Sequence, residues 1–222
     1  MKCVLFSGPK GCGKSFAVEH LEKVVACNSN VEFKSHLRTL VLTMFNISGD
    51  FFDSLYNNRE TKDEPNELLK VYVTSEDEIN WFTKTDYLLR VVPSCYPNKD
   101  MAYLSPREAF IWVSEMVCKP MFGEDYFGVV VAEILDENFP DCNVNLESSC
   151  GFPEEIKPLI EKFGQDNILL IDVYADMCNF DNDSRNYIPE GIVTNRHSVY
   201  NNMTDDFTNQ VEKIVEEWLN GE

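Results

Sequence analysis

The ten residues Phe6 to Ser15, FSGPKGCGKS, constrain this chain more than any other stretch. They continue the apolar run Cys3-Val4-Leu5-Phe6. After them Phe16, Ala17, Leu21, Val24 and Val25 recur at helical spacing and leave Glu19, Glu22 and Lys23 on the other side. The spacing Gly8-x-x-x-x-Gly13-Lys14-Ser15 therefore falls between a predicted strand and a predicted helix, the order a phosphate-binding loop requires. Glycines permit backbone angles that turn successive N–H groups onto phosphate oxygens, and the positive end of the helix adds to that field. The nucleotide-binding set read from the loop is Gly8, Gly11, Cys12, Gly13, Lys14, Ser15 and Phe16. Lys14 would reach the β- and γ-phosphates and the Ser15 hydroxyl would ligate Mg²⁺. A plain glycine-rich turn capping a helix is the alternative.

Composition narrows what such a loop can serve. The 222 residues suffice for one domain with an excursion and a sizeable core. With 19 basic against 38 acidic residues the formal charge is −19, which repels nucleic acid and argues against a polymer-binding protein. No run of 18 apolar residues occurs, and the four apolar residues after Lys2 are too few for a signal peptide. No membrane partner and a cytoplasmic location are expected. The eight cysteines form no Cys-x-x-Cys pair and read as reduced thiols. His20, His36 and His197 do not cluster at ligand spacing, which argues against zinc. A site for several phosphates needs positive charge, yet arginine occurs only at 38, 59, 90, 107, 185 and 196. Its fixed fork suits phosphate, so these six are candidates for a substrate cleft, with a surface ion pair as the alternative for each.

Periodicity and turn residues predict strands at 2–7, 31–34, 70–73, 142–147, 167–173 and 191–194. Helices are predicted at 14–27, 37–45, 124–137, 154–163 and 204–219, with another opening at Ser105-Pro106 and carrying Phe110, Val113 and Val117. Residues 48–67 read as polar and turn-rich, and 175–189 as a polar loop. Strands alternating with helices imply an α/β domain over 1–222, with a mostly parallel sheet covered on both faces.

Seven further stretches stand in order around the glycine loop: HLRTLVLTMF near 38, NRETKDEP at 58–65, SPREAFIWVSEM at 105–116, GEDYFG at 123–128, SSCGFPEEI at 148–156, DSRNYI at 183–188 and NNMTDDF at 201–207. Together they resemble the deoxynucleoside monophosphate kinases of tailed bacteriophages, from residue 2 to about 216, most weakly between 66 and 103. In that resemblance Arg38 takes the basic place of the second helix, and Arg59 is the arginine that approaches the acceptor nucleotide. Residues 183–188 match a lid motif. There are departures: Trp112 stands where an amide is common, Glu115 where glycine is usual, and Phe127 where tryptophan is frequent. The turn 148–152 lacks the arginine some members place there.

The resemblance implies a P-loop nucleoside monophosphate kinase-like fold with an acceptor-side insertion at about 48–103 and a lid at 175–189. It implies ATP-dependent phosphorylation of deoxynucleoside 5′-monophosphates for phage DNA precursor synthesis, with ATP as donor and Mg²⁺ on Ser15. Lys14, Arg107 and Arg185 would be catalytic, and Arg185 would also hold ATP. Lys10, Arg38, Arg59, Arg107, Trp112 and Phe127 would bind the acceptor. Read physically, Arg107 opens a helix that attracts phosphate, and Phe110, Trp112 or Phe127 offers a face for a base or packs in the core. Glu154 and Glu155 suit a helix start more than catalysis. Lys14 is expected in a solvated cleft. The loop 175–189 looks too polar to build a core, hence a lid that closes on triphosphate through Arg185. Two other classes stay open: another small-molecule P-loop kinase, such as one for dephospho-coenzyme A, and a nucleotide-dependent switch. Against the switch, a water activator is needed and the sequence shows no convincing Walker B aspartate; Asp172 is the nearest candidate and sits late in the chain. A protein kinase is disfavoured, since its Gly-rich loop and His-Arg-Asp pattern are absent. The base, the sugar and whether a homodimer forms are left open.

Overall fold

The apolar run after Lys2 becomes β1 (Lys2–Ser7), and from Cys3 onward every residue of it is buried. The structure, a computed structural model, describes residues 1–26, 28–73, 91–93, 100–181 and 185–221. Its contacts divide the chain into two units, Met1–His36 with Glu124–Glu222, and Leu37–Gly123. Among the described residues no helix is long and apolar enough to cross a membrane.

In the first unit, β1 is followed by α1 (Lys14–Val24) and the short β2 (Asn28–Ser29), and α2 (Phe33–Phe45) begins here. After residue 123 come α6 (Tyr126–Asn138), β6 (Val144–Glu147), α7 (Pro153–Phe163), β7 (Ile168–Ala175), β8 (Asn195–Asn201) and α8 (Asp205–Asn220). The five strands form a parallel sheet in the order β2-β6-β1-β7-β8. The central strand is flanked on both edges, so it has to be apolar on both faces. On one face Val4, Phe6, Leu146, Leu169, Ile171 and Val173 pack with Ala17, Val18 and Leu21 of α1 and with Phe207, Val211 and Val215 of α8. On the other face α7 lies against β7 and α6 against α7. The chain is thus α/β, with a five-stranded parallel sheet flanked by helices.

The second unit holds α3 (Gly49–Tyr56) and an antiparallel sheet of β3 (Lys70–Val73), β4 (Val91–Pro93) and β5 (Asp100–Tyr103), in the order β3-β5-β4. The sheet is followed by α4 (Pro106–Trp112), a π-helical segment Val113–Cys118 and α5 (Lys119–Phe122). Ser105 and Glu108 form a reciprocal capping box at the start of α4, as Ser-Pro predicts. Phe52 is fully buried, stacked on Tyr56 at 5.8 Å and edge-on to Phe110 at 5.2 Å. Phe110 is therefore part of this unit's core.

Several predicted elements move. The strand predicted at 31–34 is absent: the buried Asn145 side chain accepts from Val31 N and donates to Val31 O, replacing a ladder rung. Phe33 N then bonds Glu147 Oε2 at 2.9 Å, and α2 starts at that residue. The strand predicted at 191–194 lies instead at 195–201. As an edge strand it buries only Val199 and Asn201, so its sequence, NRHSVYN, is polar. Residues 49–56, read as turn-rich, are helical, with the Ser48 side chain accepting from Phe51 N. The helix through Val113 and Val117 passes into π geometry.

The closest helix packing predicts a sensitive position. A Cβ on Gly128 of α6 would stand 2.9 Å from Glu155 Cα and tighter still against the Glu155 carbonyl. Gly128→Ala should therefore cost about 1–3 kcal/mol in urea unfolding, where an unhindered helix interior would gain from the change.

Candidate functional site

The order of the strands reverses at β1, because the chain places β2 and β6 on one side of it and then crosses to place β7 and β8 on the other, and a parallel sheet opens a crevice at the carboxyl end of such a strand. The glycine loop stands there. Gly8, Gly11 and Gly13 all have positive φ, at 152°, 85° and 105°. Gly13 is fixed twice over, by its left-handed angle and by Asn201 Nδ2, which occupies the place of any Cβ. Asn201 ends β8, donates Nδ2 to Cys12 O at 2.9 Å and accepts from Met203 N at 2.8 Å. The last strand thereby straps the loop, and buried Cys12 packs into the sheet core beside Phe207. Gly13 gives α1 no side-chain cap, and no acidic residue stands in its first turn, so the helix field there is uncompensated. Lys10, Ser15 and Phe16 are exposed around this end.

Lys14 departs from the solvated cleft expected of it. It is only 8% exposed, and Nζ donates to Gly8 O and, at 2.8 Å, to Pro9 O. The long side chain folds back along the loop, where these carbonyls solvate the ammonium in place of water.

The face of the sheet away from α1 carries polar groups at its carboxyl edge. Asp172 pairs in register with Ser7. Its Oδ2 accepts from Arg196 Nε at 2.6 Å, while Oδ1 is buried without a partner. Burial pushes the Asp172 carboxyl up, and Arg196 and the nearby Ser7 hydroxyl pull it back. On the other side of β1, Glu147 ends β6 and is fully buried. It accepts from Phe33 N, from Ser149 N and from Ser149 Oγ. Burial, reinforced by Glu32, still pushes its carboxyl up to about 7.

The segment 175–189 is less polar in space than in sequence. Tyr187 stacks on Tyr174 at 4.6 Å, meets Phe180 edge-on at 5.0 Å and donates its hydroxyl to Val173 O at 3.0 Å, while Ile188 is buried. Burial raises the Tyr187 phenol above its ordinary value. The expectation that this stretch cannot build a core is thus corrected: its aromatics make one over the end of β7. Asp183 and Ser184 of the lid motif lie outside the described residues. Arg185 lies with its stem across Gly151, so the turn 148–152, which has no arginine of its own, receives one from this segment.

In the second unit, Arg38 is forked onto Asp53, through Nε to Oδ1 at 2.9 Å and Nη2 to Oδ2 at 2.6 Å. This bond, above all, raises its pKa. Arg107 donates Nε to Asp63 at 2.5 Å and keeps a buried Nη2 without a partner. Arg59 is exposed in the turn after α3, and Trp112 has a buried indole N–H without a partner. Arg90 lies outside the described residues. Phe127, in the first unit, is 2% exposed within α6, so it has no free face for a base and is core.

Comparison of the chain with protein-family models returns no match, and comparison with curated proteins returns none. Two residues at this edge escaped the reading of the sequence. Glu147 had a signal, a lone acid closing a strand in which Val144 and Leu146 alternate with Asn145. Asn201 had none beyond its place in NNMTDDF, since its partner is 189 residues away.

Glu147 makes a pH prediction. Its carboxyl holds a proton more tightly folded than at the ordinary 4.5, so its contribution to stability is whole below pH 4.5 and lost as pH rises through 7. Urea unfolding from pH 4.5 to 8 should show the parent losing stability along this range, and Glu147→Gln should flatten that slope. The amide also sets an NH₂ against a backbone N–H, so the variant should be less stable at pH 5.

Proposed function

We propose that this chain is a P-loop nucleoside monophosphate kinase-like enzyme, moving the γ-phosphoryl group of ATP onto a deoxynucleoside 5′-monophosphate. The observation that carries this reading is the three-glycine loop between the central strand and α1, at the point where the strand order reverses. It offers backbone amides, an uncompensated helix start and Lys14 at one place, the set a triphosphate needs. Ser15 is exposed in the first turn of α1 and suits Mg²⁺. Among the described residues no group of three or more His, Cys, Asp or Glu is arranged to hold a metal.

Transfer to a phosphate oxygen needs alignment and neutralised charge more than a base. Lys14 would exchange its two loop carbonyls for the β- and γ-phosphates, and Arg185 would meet the charge on the transferred group. For the acceptor, Arg59 and Arg107 are favoured, the first exposed and the second with a donor to spare. Arg38 is committed to Asp53, which supports a structural role tying α2 to α3. The deoxynucleotide rests on the family resemblance of the arginine-bearing stretches.

An ADP-release assay over the four deoxy and four ribo monophosphates tests the reading. Acceptor-dependent release with a deoxy substrate is expected; none with any of them would sink it. Lys14→Ala should lower turnover by at least ~10²-fold. Unlike a surface lysine, it should also cost about 1–3 kcal/mol of stability, because two carbonyls lose their donor. Arg59→Ala and Arg107→Ala should each raise the acceptor KM by about 10–100-fold and move the KM for ATP much less.

A further inference from the structure

Of the ten glycines, seven have positive φ, and the three that do not are Gly49, Gly128 and Gly151. At these three the backbone tolerates any residue, so the missing side chain must be explained by what stands in its place. At Gly128 that is the backbone of Glu155. At the other two it is an arginine. Nη2 of Arg38 is 2.7 Å from the Cβ position of Gly49. At Gly151, Cβ and Cγ of Arg185 lie 2.8 and 2.6 Å from that position, and Cδ closer still.

We propose that Gly151 is a positioning residue for Arg185: the bare backbone of the turn after β6 is the bed on which the arginine stem lies, fixing where its guanidinium is presented. Three consecutive carbons of the stem follow the glycine, so an added methyl group displaces the side chain along its length. The charge this bed directs sits at the carboxyl edge of the sheet. Burial pushes the thiol of Cys150, the neighbour of Gly151 in sequence, well up, with Glu147, Glu155 and Asp172 adding to the shift and Arg185 opposing it; Glu147 and Asp172 flank β1 there. An arginine free in solution keeps many rotamers, and a planar fork acts only in one orientation, so a fixed stem removes much of the ordering cost of engaging a phosphoryl group. The bed also accounts for a turn with no arginine of its own beside a segment that supplies one.

This inference rests on the kinase reading in so far as Arg185 acts on the transferred group. The test uses the full chain carrying Gly151→Ala, Arg185→Ala and both. Arg185→Ala should lower kcat. Gly151→Ala should lower it by about 10–100-fold, with the KM for ATP changed less than about 3-fold, and should add nothing in the Arg185→Ala background. Parent kcat in Gly151→Ala, or two effects that multiply in the double variant, overturns the proposal while leaving the kinase reading intact. A silent Arg185→Ala overturns it too. If no acceptor supports ADP release, the kinase reading fails, and the ¹⁵N spectrum of arginine Nε–H groups decides the positioning. The Arg185 signal, assigned by its loss in Arg185→Ala, should shift or broaden in Gly151→Ala while that of Arg196 stays; an unmoved signal overturns the proposal. If Gly151→Ala does not fold, Gly151→Ala combined with Arg185→Gly should, because that variant removes the whole stem, Cβ included, and gives the methyl group its space. If that variant also fails to fold, the bed is overturned.

Discussion

Everything at the site depends on how β1 is enclosed. With β6 on one edge, β7 on the other and apolar layers on both faces, the strand can end only at the carboxyl edge of the sheet. The chain must turn there without a side chain to cover it. Gly8 shows how tight this is: a Cβ on it would stand 2.5 Å from Val173 O of the neighbouring strand. The glycines are thus demanded by packing against β7 and β8 as well as by backbone angle.

For the proposed phosphate site, a strongly acidic chain has to keep its own charge away from the glycine loop. Here the carboxylates that flank β1 each have hydrogen-bond donors, Asp172 at one oxygen and Glu147 at both. Asp172 is held by Arg196, and Glu147 is surrounded by N–H and O–H donors and held nearer neutrality by burial. The first turn of α1 contains no acid. Acids gather instead at other helix starts, as in Glu154 and Glu155 of α7, where they offset the helix field. Local placement, more than net charge, decides whether a triphosphate is attracted.

The segment 175–189 shows where composition misleads. Counting polar residues gives a loop with nothing to bury, yet Tyr187, Phe180 and Ile188 find Tyr174 and the Val173 carbonyl, groups supplied by β7. A side chain's partner across the fold has no trace in its own window of sequence. Phe127 errs the other way: its place in an aromatic stretch suggested a free face, and the packing of α6 covers it.

The sequence alone determined those features that arise from neighbours in the chain. β1, the glycine loop and α1 follow from apolar runs, glycine angles and helical period; the β7 strand follows from an unbroken apolar run, and the start of α4 from Ser105, Pro106 and Glu108, which cap themselves. Only the tertiary structure decided what joins distant residues. The Asn145 amide cancels the strand expected at 31–34, the edge position of β8 moves the last strand into a polar segment, and Arg38 is forked onto Asp53. Asn201 straps Cys12, and Arg185 lies on Gly151. Local order follows from backbone angles and periodicity, which short windows record. Burial, pairing and pKa follow from which groups exclude water from one another, and that is fixed only when the chain is folded.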